Sequence, residues 1–142
     1  MSERYITVEL RRLVSERARR CCEYCRAQAD YSSDPLTVDH IIPFSFGGPT
    51  TAENLAFCCH GCNQCKAARI AALDPVSGET APLFNPRAQR WEEHFAWNED
   101  FSLMIGLTAT GGATIAVLQL NRPGLVNLRR LLVQAGQHPP PA

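Results

Sequence analysis

The sequence predicts an α+β fold, and three observations carry that expectation: an amphipathic segment ahead of the first of two Cys-x-x-Cys pairs, two short strand-like runs between the pairs, and an alanine-rich stretch without a breaker after the second. Cys22-x-x-Cys25 and Cys59-x-x-Cys62 together supply four thiolates, the ligand number and softness that tetrahedral structural zinc prefers. A closed four-sulfur shell leaves no position for water, so the ion is expected to staple the fold rather than react. The register is not unique. Cys21, Cys58 and Cys65 lie close enough to substitute, Cys62-x-x-Cys65 is a second legal pair, and His60 sits inside the second knuckle. Seven cysteines cannot all pair as disulfides, which fits a reducing compartment where thiolates hold metal.

Residues 5 to 20 set Val8, Leu10, Leu13 and Val14 among charged side chains, with Thr7 as N-cap, and predict a helix leading into the cysteines. The polar stretch through Ser32, Ser33, Asp34 and Pro35 reads as a loop. Leu36 to Ile42, β-branched at Thr37, Val38, Ile41 and Ile42, reads as a strand running into Pro43. Pro43 to Glu53 carries Gly47, Gly48 and Pro49 and predicts a structured loop or short helical turn, and Leu55 to Cys58 a second strand. Asn63 to Leu73 predicts a helix that Asp74-Pro75 ends.

Asp74 to Arg87, with its prolines and Gly78, reads as an extended linker. Trp91, Phe95 and Trp97 offer aromatic packing near a hairpin ending around Leu107. Two helices are expected next, one on the apolar run to Leu120 that Gly111-Gly112 precedes, the other opening at Pro123 and stopping near Gly136. His94, between Trp91 and Phe95, reads as structural. The proline-rich tail from His138 to Ala142 reads as frayed, with His138 inert.

Fourteen basic and fourteen acidic side chains cancel, so the global field makes no case for a nucleic-acid partner and any case must be local. In the first thirty residues seven arginines face five acids, with Arg17, Arg19 and Arg20 bunched before the first knuckle. That bunch reads equally as a modest basic patch or as a solvated helix face. No apolar stretch approaches the roughly 20 residues of a membrane helix, and the charged N-terminus (Glu3, Arg4) has no signal-peptide core, so a cytoplasmic protein is expected.

Between the knuckles stand Asp39-His40-Ile41-Ile42-Pro43, then Gly47-Gly48, then Glu53-Asn54-Leu55; Asn63 follows Cys62 directly, and Lys66 comes next on the same stretch. This series, over about residues 17 to 70, resembles the HNH endonuclease family in its four-cysteine zinc subtype, with Asn at the third motif position. The resemblance implies a ββα-metal (His-Me finger) core. Residues 1–73 would form that core with its N-terminal helix, and 74–142 a C-terminal extension of hairpin plus helices packed on it as one compact domain.

The resemblance also implies hydrolysis of DNA phosphodiester bonds, with RNA as the other nucleic acid left open, to give 5′-phosphate and 3′-hydroxyl ends. His40 would be the general base, because a neutral imidazole can take a proton from water near pH 7. Asp39, on the opposite side of the strand, and Asn63, at the head of the following helix, would offer hard oxygens to a catalytic magnesium or manganese ion, with water and phosphate filling the shell. Asn54 would brace the loop that holds the imidazole. The family often has His at the third position; Asn63 keeps an oxygen ligand and leaves the metal preference open. Lys66 and Arg69 could meet phosphates, with ordinary helix-surface charge as the alternative, and Arg87 and Arg90 could extend that surface. A double-strand cut needs two active sites, which a dimer would supply.

Two readings from other classes compete. One is a zinc-ribbon-like module that binds nucleic acid or protein without cutting, for which a base beside a cation site would be superfluous. The other is a thiol redox protein using the cluster from Cys58 to Cys65, which predicts reactive, low-pKa thiols.

Overall fold

The first helix starts at Thr7, whose hydroxyl accepts the Leu10 amide at 3.1 Å and so satisfies one of the donors that a helix leaves open at its start. This helix, α1, spans Val8–Arg17, shorter at both ends than the stretch expected. The structure, a computed structural model, describes residues 4–141, so Glu3 and Ala142 lie outside the described residues. The chain divides into two compact units, Met1–Ile70 with Asn85–Ala88, and Ala71–Phe84 with Gln89–Ala142.

In the first unit β1 (Thr37–His40) pairs antiparallel with β2 (Leu55–Cys58), placing Val38 opposite Phe57, Asp39 opposite Ala56 and His40 opposite Leu55. Successive side chains of a strand point to opposite faces, so Val38 and His40 share one face with Leu55 and Phe57 while Asp39 turns to the other. The first face meets α1: Ile6, Val14, Ala18, Leu55 and Phe57 form a buried cluster, with Val38 packed on its edge. Burying a side chain such as Val14 or Phe57 is worth about 1.5–3 kcal/mol, enough to hold a ten-residue helix that would be marginal alone. Between the strands the chain makes two single 3₁₀ turns, Phe44–Phe46 and Ala52–Asn54, in line with the structured loop expected there.

The helix expected over 63–73 is corrected. Helix α2 spans His60–Lys66, capped by Cys59, and stops at Ala67, whose φ of +50° ends it. Residues 71–73 instead open a hairpin of the second unit, β3 (Ala71–Leu73) against β4 (Thr80–Pro82). Asp74 closes that hairpin: its carboxylate accepts the Val76 and Ser77 amides, and its backbone N–H donates to Glu79. The Asp-Pro pair is therefore a hairpin turn, and the linker expected over 74–87 carries a strand.

The second unit continues with a single helical turn, α3 (Trp91–His94), and a second hairpin, β5 (Phe95–Trp97) against β6 (Met104–Gly106). Helices α4 (Ala109–Leu118) and α5 (Pro123–Gln134) follow, the latter with proline in its first turn as expected. Gly111 and Gly112 lie inside α4 rather than before it, because a Cβ on Gly111 would meet the His94 carbonyl at 2.1 Å and one on Gly112 the Asp74 carboxylate at 2.1 Å. His138 is not loose: it is 9% exposed, its Nε2 lies 2.9 Å from the Phe101 carbonyl, and its ring meets Trp97 edge-on. Among the described residues no helix is long and apolar enough to cross a membrane.

Candidate active site and metal centre

Four sulfurs converge in the first unit. The Sγ atoms of Cys22, Cys25, Cys59 and Cys62 all lie within 4.8 Å of one another, and those of Cys25 and Cys59 are 3.7 Å apart. A zinc tetrahedron with bonds of about 2.3 Å places its sulfurs about 3.8 Å apart, so the set fits that ion. Backbone amides turn toward the same sulfurs: Cys25 N–H toward Cys22, Ala27 N–H toward Cys25, and Cys62 N–H toward Cys59. These donors favour thiolate over thiol, as a ligand must be. Among the described residues no cluster of this kind includes Cys21, Cys58, Cys65 or His60. Burial pushes the Cys21 thiol up, and a bond to Cys22 together with burial does so for Cys58.

At the end of β1, His40 lines a pocket of about 330 Å³ with Arg4, Asp39, Phe44 and Asn63. Its Nε2 lies 2.8 Å from the Thr50 hydroxyl and its ring stands edge-on to Phe44, so the imidazole plane is held from two sides. Desolvation lowers the His40 pKa below its usual value near 6.5, against the pull of Asp39 and with help from Arg4 and Lys66, and the ring is neutral at pH 7.

Asn54 is 5% exposed and grips the loop after His40. Its Oδ1 accepts Ile42 N–H at 2.9 Å, and its Nδ2 donates to the carbonyls of Ile42 (3.0 Å) and Pro49 (2.9 Å). Gly48 lies so close beneath this grip that a Cβ there would stand 1.8 Å from the Ile42 oxygen, and Gly47 takes a φ of +82° that favours glycine. That is the physical content of the Gly-Gly pair.

Residues 22–69 match the model of the HNH endonuclease family, from Cys22 to just past α2. This segment is similar to the HNH endonuclease family. Hydrolysis of nucleic acids is the general activity of that family. No curated protein and no solved structure matches the chain.

Within the HNH segment, Lys66 is not where the sequence reading put it. Its side chain is 1% exposed, with Nζ 3.1 Å from Asp39 Oδ2 and bonded to the carbonyls of His40 (3.2 Å) and Ile41 (3.1 Å). Helix α2 thus turns its lysine inward, against the buried face of β1, and the ammonium cannot meet a phosphate. Tyr24, between Cys22 and Cys25, donates to the same Asp39 oxygen at 2.9 Å. Burial raises the Asp39 pKa, opposed by Lys66 and by the bond from Tyr24, while burial and the Asp39 charge raise that of Tyr24 and keep its proton. Arg69, by contrast, is exposed, with Nη1 on the Cys65 carbonyl.

Arg87 is corrected as well. Rather than extending a surface, it ion-pairs with Glu23 and donates to the Leu55 carbonyl, while the other Glu23 oxygen accepts Phe57 N–H at 2.8 Å. Arg17 leaves the bunch read as a basic patch and donates to the carbonyls of Ala52 and Leu55, both at 2.6 Å. Glu23, Tyr24 and Thr50 carried no separate signal, since what marks them is the partner each meets across many residues of chain.

Proposed function

We propose that the HNH segment is a ββα-metal nuclease that hydrolyses DNA phosphodiester bonds with His40 as general base. The observation that supports this reading best is a neutral imidazole whose Nε2 is held by Thr50 and whose Nδ1 has no partner among the described residues, in an open pocket shared with Asn63. Water beside Nδ1 gives up a proton to that nitrogen as its oxygen bonds to phosphorus, and the P–O3′ bond breaks with the leaving 3′-oxygen taking a proton from solvent, producing 5′-phosphate and 3′-hydroxyl ends. Thr50 and Phe44 hold the ring for this transfer, and Asn54 holds the loop on which they act.

Asp39 and Asn63 fit a divalent cation of the magnesium or manganese kind. The Asn63 side chain has no hydrogen bond among the described residues, and Asp39 Oδ1 carries only a 3.4 Å contact to Lys66, so it keeps acceptor capacity while Oδ2 is taken twice. Such an ion, when bound, neutralises charge on the phosphate oxygens and the leaving group. The four-cysteine site would hold zinc as a structural staple. Seven cysteines cannot all pair as disulfides and four of them converge on one site, and we place the protein in a reducing cytoplasm.

Supercoiled plasmid incubated with the protein and magnesium or manganese is expected to be nicked or linearised, and EDTA or His40→Ala to abolish it. Cleavage that persists undiminished in His40→Ala removes the assignment of the base.

A further inference from the structure

Helix α1 has two electrostatic sides. Val8, Arg11, Arg12 and Ser15 recur at helical spacing along one face, while Glu9 and Glu16, seven apart, fall on another. The arginine face forms one wall of an open groove of about 590 Å³, whose other wall is the loop through Ser33 and Asp34, with Arg20 at its end and Val38 at its floor. Arg11 and Arg12 are exposed. Arg12 has no partner among the described residues, and Arg11 has one bond, from Nε to the Ile6 carbonyl at 3.3 Å. Arg20 is tied to Asp30 at 3.1 Å, which leaves the other two as the groove's available positive charge.

Val38 lines this groove and the His40 pocket alike, and the two side chains are neighbours on one face of β1. Residues two apart on a strand are separated by about 6.6–6.8 Å, comparable to the distance between successive phosphates of a nucleic-acid strand. At the far side of the pocket, Arg4 lies over the Phe44 ring, 5.2 Å from its centroid. Arginine thus stands on both sides of the imidazole along one continuous surface.

We propose that this groove carries the sugar-phosphate backbone of duplex DNA flanking the bond to be cut, with Arg11 and Arg12 as its phosphate contacts. The proposal rests on the nuclease reading for its substrate but is tested through binding alone. The charge complementarity is local: a chain with no net charge presents its free guanidinium groups beside the site where a phosphate must be received.

The test uses the full chain with zinc bound, carrying His40→Ala, and fluorescein-labelled duplex DNA in chelator-free buffer without added magnesium or manganese, with anisotropy followed from low to moderate salt. Adding Arg11→Ala and Arg12→Ala is expected to weaken binding on the order of tenfold and to flatten the log–log salt slope by about 1.8, since each phosphate contact contributes about 0.9. Arg130→Ala, in the second unit, serves as the control for loss of charge in general. Equal slopes with and without the two arginines, or an equal loss in the Arg130 variant, overturn the proposal. Loss of plasmid cleavage in the protein with native His40 while the slope still responds to Arg11 and Arg12 would sink the nuclease reading instead. Arg12→Lys, which keeps the charge, restores most of the slope and separates it from a folding defect.

Discussion

Two asparagines, one in each unit, make the same grip. Asn54 takes both backbone groups of Ile42, and Asn121 takes both of Met104, accepting its N–H at 2.7 Å and donating to its carbonyl at 2.9 Å. Each side chain thus imitates a neighbouring strand. What differs is the cargo. Asn54 fixes the loop that leaves β1 directly after His40, whereas Asn121 fixes the first residue of β6 and shares its oxygen with Arg129, a 3% exposed guanidinium lying over Trp97. A buried amide is therefore no mark of a functional site by itself, and its meaning comes from what the held residue adjoins.

The comparison can be broken most violently through the metal. All seven cysteines precede Lys66, so the Asn54 grip belongs to the unit with the four-cysteine site and the Asn121 grip to one without a cysteine. Structural zinc carries about 10–16 kcal/mol of folding free energy in small domains. A strong chelator is expected to release amide protection throughout β1, β2 and α2 while β5 and β6 stay protected, as hydrogen exchange would show. Equal loss in both units would deny that zinc holds the first one alone.

A finer separation comes from Asn54→Ala set against Asn121→Ala. Each leaves a backbone donor and acceptor short of partners, so both are expected to lower stability by about 1–3 kcal/mol in urea unfolding. Cleavage, measured well below either midpoint, should fall on the order of a hundredfold only for Asn54→Ala, the cost of a displaced reacting group. Matching activities in the two variants would reduce Asn54 to a structural tie. The smallest effect is in titration. Burial holds the His40 pKa below 6.5, so activity should rise with pH through a midpoint under that value and level off by about pH 7. Because the Asn54 grip fixes the loop that carries Phe44 and Thr50 against the ring, Asn54→Ala should move the imidazole midpoint seen by NMR upward and Asn121→Ala should not.

Legibility followed locality. Cys-x-x-Cys spacing writes the zinc ligands into a single turn of chain, and Thr7 and Pro123 each announce a helix start from within a few residues. The helix expected over 63–73 ends early because Ala67 to Ala72, as good a helix former as any, is drawn away by the pairing of 71–73 with 80–82. Lys66 departs from expectation for a related reason. A lysine on an alanine-rich helix is ordinarily solvated, and the carboxylate that pulls it inward is 27 residues distant in sequence. Gly111 and Gly112 look like a break until the His94 carbonyl and the Asp74 carboxylate occupy the space their side chains would need.

Lys66 is also the lone lysine of these 142 residues; every other basic side chain is an arginine. With its amine sealed beneath β1, the surface offers acylating and cross-linking reagents no lysine side chain at all. Any covalent label found on that nitrogen therefore records a moment when the strand and its helix had parted, so the molecule contains a chemical register of its own opening at the place where its strand-end carboxylate is held.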